Sequence, residues 1–208
     1  MTSILTCSDA FEDIGPNIRD GKTVIYPTDT VFGLGSNPES EIGVDRCFAL
    51  KERDPVKPMP VLFSNLSKVE EYVELDSRCG LLSQEFWPGQ LTLVLPLKRI
   101  LPQRLTSGAR KLAVRIPDHE CTLRLIKACG GSLIGTSANI SGEKAFLDPE
   151  DHGLIQFSER VDFLVKGRCG GKSGVSSTIV ELSSGKKASL IREGAIPFSS
   201  VQDLLHER

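Results

Sequence analysis

Lys51-Glu52-Arg53-Asp54-Pro55-Val56-Lys57-Pro58-Met59-Pro60 (KERDPVKPMP) packs three cations into a short segment and closes it with two prolines. Like charges this close repel one another, and solubility alone would be met by interleaving more acids. Working outward, residues 40–52 read as a helix with Ile42, Cys47, Phe48 and Leu50 as its apolar positions. Lys51 and Arg53 then fall at its last turn, where cations suit the helix dipole. Asp54 precedes Pro55 and is pushed towards extended backbone, so the helix cannot run on. Beyond the break, residues 59–63 (MPVLF) read as a buried strand. The cations therefore sit on a short ordered corner between helix and strand, which suits an anion such as phosphate, carboxylate or bicarbonate. The alternative is a solvated helix end.

The 208 residues suit one domain, taken as 1–208, with a sizeable buried core. No apolar run approaches the roughly 20 residues of a membrane span. The N-terminus, MTSILTCSDAFED, lacks the charged and apolar regions of a secretory signal. Cys7, Cys47, Cys79, Cys121, Cys129 and Cys169 show no CxxC and no metal spacing with histidines, which predicts free thiols in a reducing cytoplasm. The net charge of −2 argues against an overall basic nucleic-acid binder. Its distribution is uneven, however, because residues 98–127 carry Lys98, Arg99, Arg104, Arg110, Lys111, Arg115, Arg124 and Lys127 against Asp118 and Glu120.

Along the chain, a first helix is expected over 8–20, with Pro16 forcing a kink or a late start. Strands are expected at 23–26, 59–63, 91–95, 111–116, 132–135 and 161–165. Helices follow Asn65 or Ser67 and Asp76, one is expected over 120–129, and another over 149–157 is capped by Asp148 with Pro149 at its first position. Residues 176–182 and 188–192 suggest a hairpin around Ser183-Ser184-Gly185-Lys186, and Ser199 or Ser200 caps a final helix. Strands and helices that mix without strict alternation predict an α/β domain with a mixed, twisted open sheet. Polar loops leave its strand ends, where such sheets hold ligands.

Several groups could carry chemistry. Thr28-Asp29-Thr30 leaves a strand with two hydroxyls and a carboxylate, a substrate-orienting loop or ordinary turn capping. Arg115 interrupts an apolar strand, so either a nearby acid or a ligand anion must pair with it. Residues 136–142 (TSANISG) put hydroxyls and an amide after a buried strand, where exposed N–H groups can hold phosphate oxygens, or where a plain turn sits. Ser177 and Arg192 come together across the hairpin. No Walker, zincin or nucleophile-elbow motif is present. The chemistry indicated is the positioning of anions.

YPTDTVFGLG, KERDPVKPMP, FWPGQLTLVLP, AVRIP, GTSANISG, SSTIVEL and IREG, together and in this order from about Gly21 to Gly194, resemble the YrdC-like family. The resemblance implies an open α/β sheet around a large positively charged cavity. It implies condensation of L-threonine, bicarbonate (or CO2) and ATP into threonylcarbamoyl-AMP and pyrophosphate, for N6-threonylcarbamoyladenosine formation at position 37 of tRNA. A separate complex would carry out the later transfer. By motif, Lys51 and Arg53 are the implied catalytic pair, holding the bicarbonate-derived group and phosphates. Thr28, Thr30, Lys57 and Ser177 would bind threonine and bicarbonate, and Arg115, Ser137, Asn139, Ser141 and Arg192 would line the nucleotide pocket. No protein metal site is implied, and Mg²⁺ would travel with the ATP phosphates.

Met59 departs from the family's usual Leu, and Lys166 from a common Asp. Gln90 stands in place of a common Pro, a change expected to affect only the turn. The chain also ends soon after IREG, as in the family's short single-domain form. A non-enzymatic binder of structured RNA is the alternative from another class. Salt-sensitive RNA binding without ATP or threonine dependence would discriminate it.

Overall fold

The computed structural model describes residues 1–171, 174–183 and 187–206. In chain order the elements are β1 (Ser3–Thr6), α1 (Ile14–Arg19), β2 (Val24–Tyr26), β3 (Gly33–Gly35), α2 (Glu41–Lys51), β4 (Val61–Phe63) and α3 (Leu66–Glu70). Next come α4 (Ser77–Phe86), β5 (Leu91–Pro96), α5 (Gln103–Thr106), β6 (Lys111–Arg115), α6 (Glu120–Ala128), β7 (Ser132–Ile134) and β8 (Thr136–Ser137). The last are α7 (His152–Ser158), β9 (Phe163–Lys166), β10 (Thr178–Glu181), β11 (Ser189–Arg192) and α8 (Phe198–His206).

The strands form two mixed sheets where the sequence predicts one. A five-stranded sheet runs β1-β9-β2-β3-β8 and a six-stranded sheet runs β11-β10-β5-β6-β4-β7. The five-stranded sheet is covered on both faces. Val24, Tyr26, Phe163 and Val165 point into a small cluster with Ile14 and Ile18 of α1 and Leu125 and Ile126 of α6. Their strand neighbours Ile25 and Leu164 point the other way, into the main core. Burial on both faces is why β2 and β9 read as continuous apolar runs.

α2 begins as the sequence suggests, with the Ser40 hydroxyl accepting from the Gly43 amide. It stops one residue before the predicted end, because Glu52 adopts a left-handed conformation (φ 50°). The amides of Glu52 and Arg53 then close on Ala49 O and Phe48 O, turning the chain towards β4. Asn65 and Asp76 cap α3 and α4 through their side chains.

Other boundaries differ. The first helix starts late, at Ile14, which leaves Pro16 in the first turn where its missing N–H costs nothing. α7 is capped by Asp151, whose Oδ1 accepts from Gly153 N at 2.8 Å. Asp148 instead closes its own turn on Glu150 N. Ser199 and Ser200 lie inside α8. β10 and β11 pair antiparallel as expected, while residues 184–186 of the expected turn lie outside the described residues. β1, β3 and β8 are strands that the sequence reading leaves as loop. β3 (GLG) has poor strand propensity, and its glycines are there for space: a Cβ on Gly33 would meet the Tyr26 ring at 2.8 Å.

The thiol reading needs one correction. Cys7 and Cys121 form a disulfide (Cα–Cα 5.3 Å) across 114 residues of sequence. Spacing gives no sign of it, because the end of β1 meets the start of α6 only in the fold. Cys47, Cys79, Cys129 and Cys169 are free thiols. Cys7→Ser is expected to cost about 2–5 kcal/mol of stability, since the bridge closes a long loop. A thermal melt with and without reductant checks this, and an unchanged melt of a protein with six titratable thiols would contradict it.

Candidate active site

One face of the six-stranded sheet floors a cleft of about 380 Å³. The volume falls within the roughly 300–1,000 Å³ usual for small-molecule sites. Side chains two apart on one strand share a face, and so Thr92 and Val94, then Ala113 and Arg115, surface together on the floor. The 53–60 corner forms one wall. The rim comes from Thr30 on the β2–β3 loop and Ser137 on β8, both belonging to the other sheet. Of the residues singled out from sequence, Thr30, Arg53, Lys57, Arg115, Ser137, Ser177 and Arg192 line this cleft. Thr28, Lys51, Asn139 and Ser141 are not part of the lining and support it from behind.

Lys51 is the clearest of the supports. Its side chain is 1% exposed, and Nζ donates to Ser137 O (2.5 Å), Asn139 O (2.8 Å) and Asn139 Oδ1 (3.3 Å). All three ammonium protons are thus spent on the 137–139 segment. The Asn139 amide donates onward to Ile140 O and Glu143 O, and the Ser141 N–H returns to Lys51 O at 2.8 Å. Burial, reinforced by neighbouring Arg53, pushes the Lys51 ammonium down to about 8, with Cys47 acting weakly in the opposite sense.

Arg53 faces the cleft and folds its own corner, with Nε donating to Lys57 O and Nη2 to Pro58 O, both at 2.9 Å. Arg192 donates to Ser177 O from Nη2 at 2.8 Å. Burial, and after it the nearby cation, holds Arg53 (beside Arg192) and Arg192 (beside Arg115) below the ordinary guanidinium value. The three guanidiniums therefore share one electrostatic environment. Lys57 adds a fourth basic side chain, and no acidic residue is among the lining.

Arg115 resolves the alternative left open by sequence in favour of an acid. Its Nη2 pairs with Asp29 Oδ1, the two side chains being 6% and 7% exposed. Arg115 Nε donates to Gly89 O at 2.7 Å and Nη1 reaches Thr30 Oγ1 at 3.5 Å. The Thr28 hydroxyl donates to Val31 O at 2.7 Å and lies 2.9 Å from the Thr30 hydroxyl. Gly170 and Gly171 roof this loop: Gly170 N donates to Thr28 O, and a Cβ on Gly171 would stand 2.1 Å from Thr30 O. No side chain could sit there.

Two participants escaped the sequence reading. The Thr92 hydroxyl, 2.8 Å from Ser177 Oγ, is a polar break inside the apolar run LTLVL, the same kind of signal that Arg115 gives in its strand. Gln90 is not confined to its turn, because its Nε2 donates to Asp29 O at 2.7 Å. Among the described residues no group of three His, Cys, Asp or Glu is placed to hold a metal ion. The donor set of the cleft fits an anion.

The Sua5_yciO_yrdC family model, described as "Telomere recombination", matches residues 17–194. The chain belongs to this family. It is 34% identical over 193 residues to a threonylcarbamoyl-AMP synthase of Pyrococcus abyssi, covering 91% of this chain and 55% of that protein. It is 32% identical over 174 residues to a threonylcarbamoyl-AMP synthase of Pseudoalteromonas translucida, covering 81% and 91%. The chain thus spans about half the length of the first relative and nearly all of the second. The fold superposes on P. abyssi Sua5 complexed with L-threonine with a TM-score of 0.88 at 30% identity, over 100% of this chain and 61% of that one. E. coli YciO matches with a TM-score of 0.81 at 21% identity, covering 95% and 98%, and speaks for the fold alone.

Proposed function

We propose that the chain is a threonylcarbamoyl-AMP synthase, condensing L-threonine, bicarbonate or CO2, and ATP, and releasing pyrophosphate. The observation that carries this reading is the cleft floored by strand hydroxyls and surrounded by Arg53, Lys57, Arg115 and Arg192 without an acid in its lining. The relatives named threonylcarbamoyl-AMP synthase, and the fold shared with a Sua5 complexed with L-threonine, support the same substrates.

The reaction asks for alignment of anions more than for a protein nucleophile. The threonine amine adds to CO2 and loses a proton, giving a carbamate. A carbamate oxygen then attacks the α-phosphorus of ATP as the bond to the β-phosphate breaks. Arg53, Lys57 and Arg192 neutralise the carbamate and phosphates as charge moves to the leaving pyrophosphate. Arg115, held by Asp29 and Gly89 O, presents its guanidinium beside the Thr30 hydroxyl at the amino-acid end. Mg²⁺ is part of the nucleotide substrate in this reading and supplies charge neutralisation at the phosphates. The product serves a separate complex that transfers the threonylcarbamoyl group to tRNA in the cytoplasm. Among the described residues no helix is long and apolar enough to cross a membrane.

Pyrophosphate release from ATP by purified protein, with and without L-threonine and bicarbonate, tests the proposal. Release that requires both is expected. Release with neither would overturn it, as would no release accompanied by salt-sensitive binding of structured RNA.

A further inference from the structure

Gln90 occupies the turn between α4 and β5, and its contacts run to both sheets. Its main-chain carbonyl accepts from Thr178 N at 3.0 Å, which starts the β5–β10 ladder of the six-stranded sheet. Its side-chain amide crosses to the five-stranded sheet, donating to Asp29 O at 2.7 Å. Asp29 lies between the Thr28 and Thr30 hydroxyls. The adjacent Gly89 carbonyl holds Arg115 Nε, so one short turn grips the threonine-pair loop and the guanidinium that faces it. Gln90 is half-buried and is not among the residues lining the cleft.

We infer that Gln90 is a positioning residue for the amino-acid end of the cleft, fixing the Thr28–Thr30 loop of one sheet against Arg115 on the other. The inference rests on the proposed reaction for what the loop binds, but not for the clamp itself. The Asp29–Arg115 pair fixes the loop through a side chain. Gln90 fixes the main chain, and so sets where the Thr30 hydroxyl points. The phosphate end, built on Arg53 and Lys57, has no bond to Gln90.

Gln90→Met keeps the length and apolar stem without the donor, and Gln90→Glu keeps the shape with an acceptor only. Amide hydrogen exchange of a peptide spanning residues 27–33 reads the clamp without any assay of activity. Exchange about five- to tenfold faster than in the unmodified chain is expected in both variants, the size of one net hydrogen bond. In the pyrophosphate assay KM for L-threonine is expected to rise about five- to tenfold with KM for ATP unchanged. Unchanged exchange in a folded variant would overturn the inference. So would equal rises in both KM values, which mark a general loosening. If the unmodified chain makes no pyrophosphate while exchange still responds to Gln90, the reaction is wrong and the clamp stands.

Discussion

Asp29→Ala is expected to lower stability by about 3–5 kcal/mol, a fall in Tm on the order of 10 °C, and to abolish threonine-dependent pyrophosphate release. The change strands the Arg115 guanidinium, 6% exposed, without its acid partner. Removing one member of a buried pair is costly even where the pair contributes little net stability, because the remaining charge stays out of water. Here the pair is only half satisfied, since Asp29 Oδ2 has no hydrogen-bond partner among the described residues. Replacing both charges, Asp29→Leu with Arg115→Met, is therefore expected to recover most of the lost Tm and none of the activity. Thermal melts of the three proteins beside the pyrophosphate assay decide it. An Asp29→Ala protein that melts with the unmodified chain would show that water reaches Arg115 freely.

Lys51→Met is expected to cut pyrophosphate release by about 100-fold while cleft-lining Arg53 is untouched, because the 137–139 segment shifts. Met replaces the apolar stem but leaves three acceptors without a donor, at about 1–3 kcal/mol for each one that water fails to reach. The lysine itself can be watched. With ε-carbon labelling, one lysine signal should titrate near 8, well below the usual 10.5, and should vanish in Lys51→Met. The sign of the linkage follows. Between about 8 and 10.5 the unfolded chain keeps this proton and the folded chain has released it, so this group adds stability as pH rises through that window. The neutral amine has two donors for three acceptors, so one of the three bonds to the 137–139 segment is given up as Lys51 releases its proton. A Lys51 signal titrating with the exposed lysines would refute the buried peg.

Sequence reading reached the parts of this molecule that declare themselves locally. The Asn65 and Asp76 caps are short-range hydrogen bonds, and the apolar runs of β5 and β6 are largely buried as strands. Arg115 stands out in the sequence because a guanidinium inside a strand demands a partner wherever the strand goes. Its partner was out of reach, since Asp29 lies 86 residues away and only the stacking of two sheets unites them. The same holds for Cys7 with Cys121 and for Gln90 with Asp29. Lys51 shows a subtler limit: the cluster of cations is evident from spacing, whereas its division into one inward peg and two cleft-facing charges depends on which way Glu52 turns the chain.

The placement of β1 has a consequence for how the protein is made. Among the described residues its one strand partner is β9, and β9 also joins β1 to β2. During synthesis β1 must therefore wait, without that partner, until residue 166 of the 208 has emerged. Residues 3–6 are then a bare edge with Ile4 exposed, open to capture by another nascent chain. Productive synthesis becomes a race between completing β9 and finding the wrong neighbour.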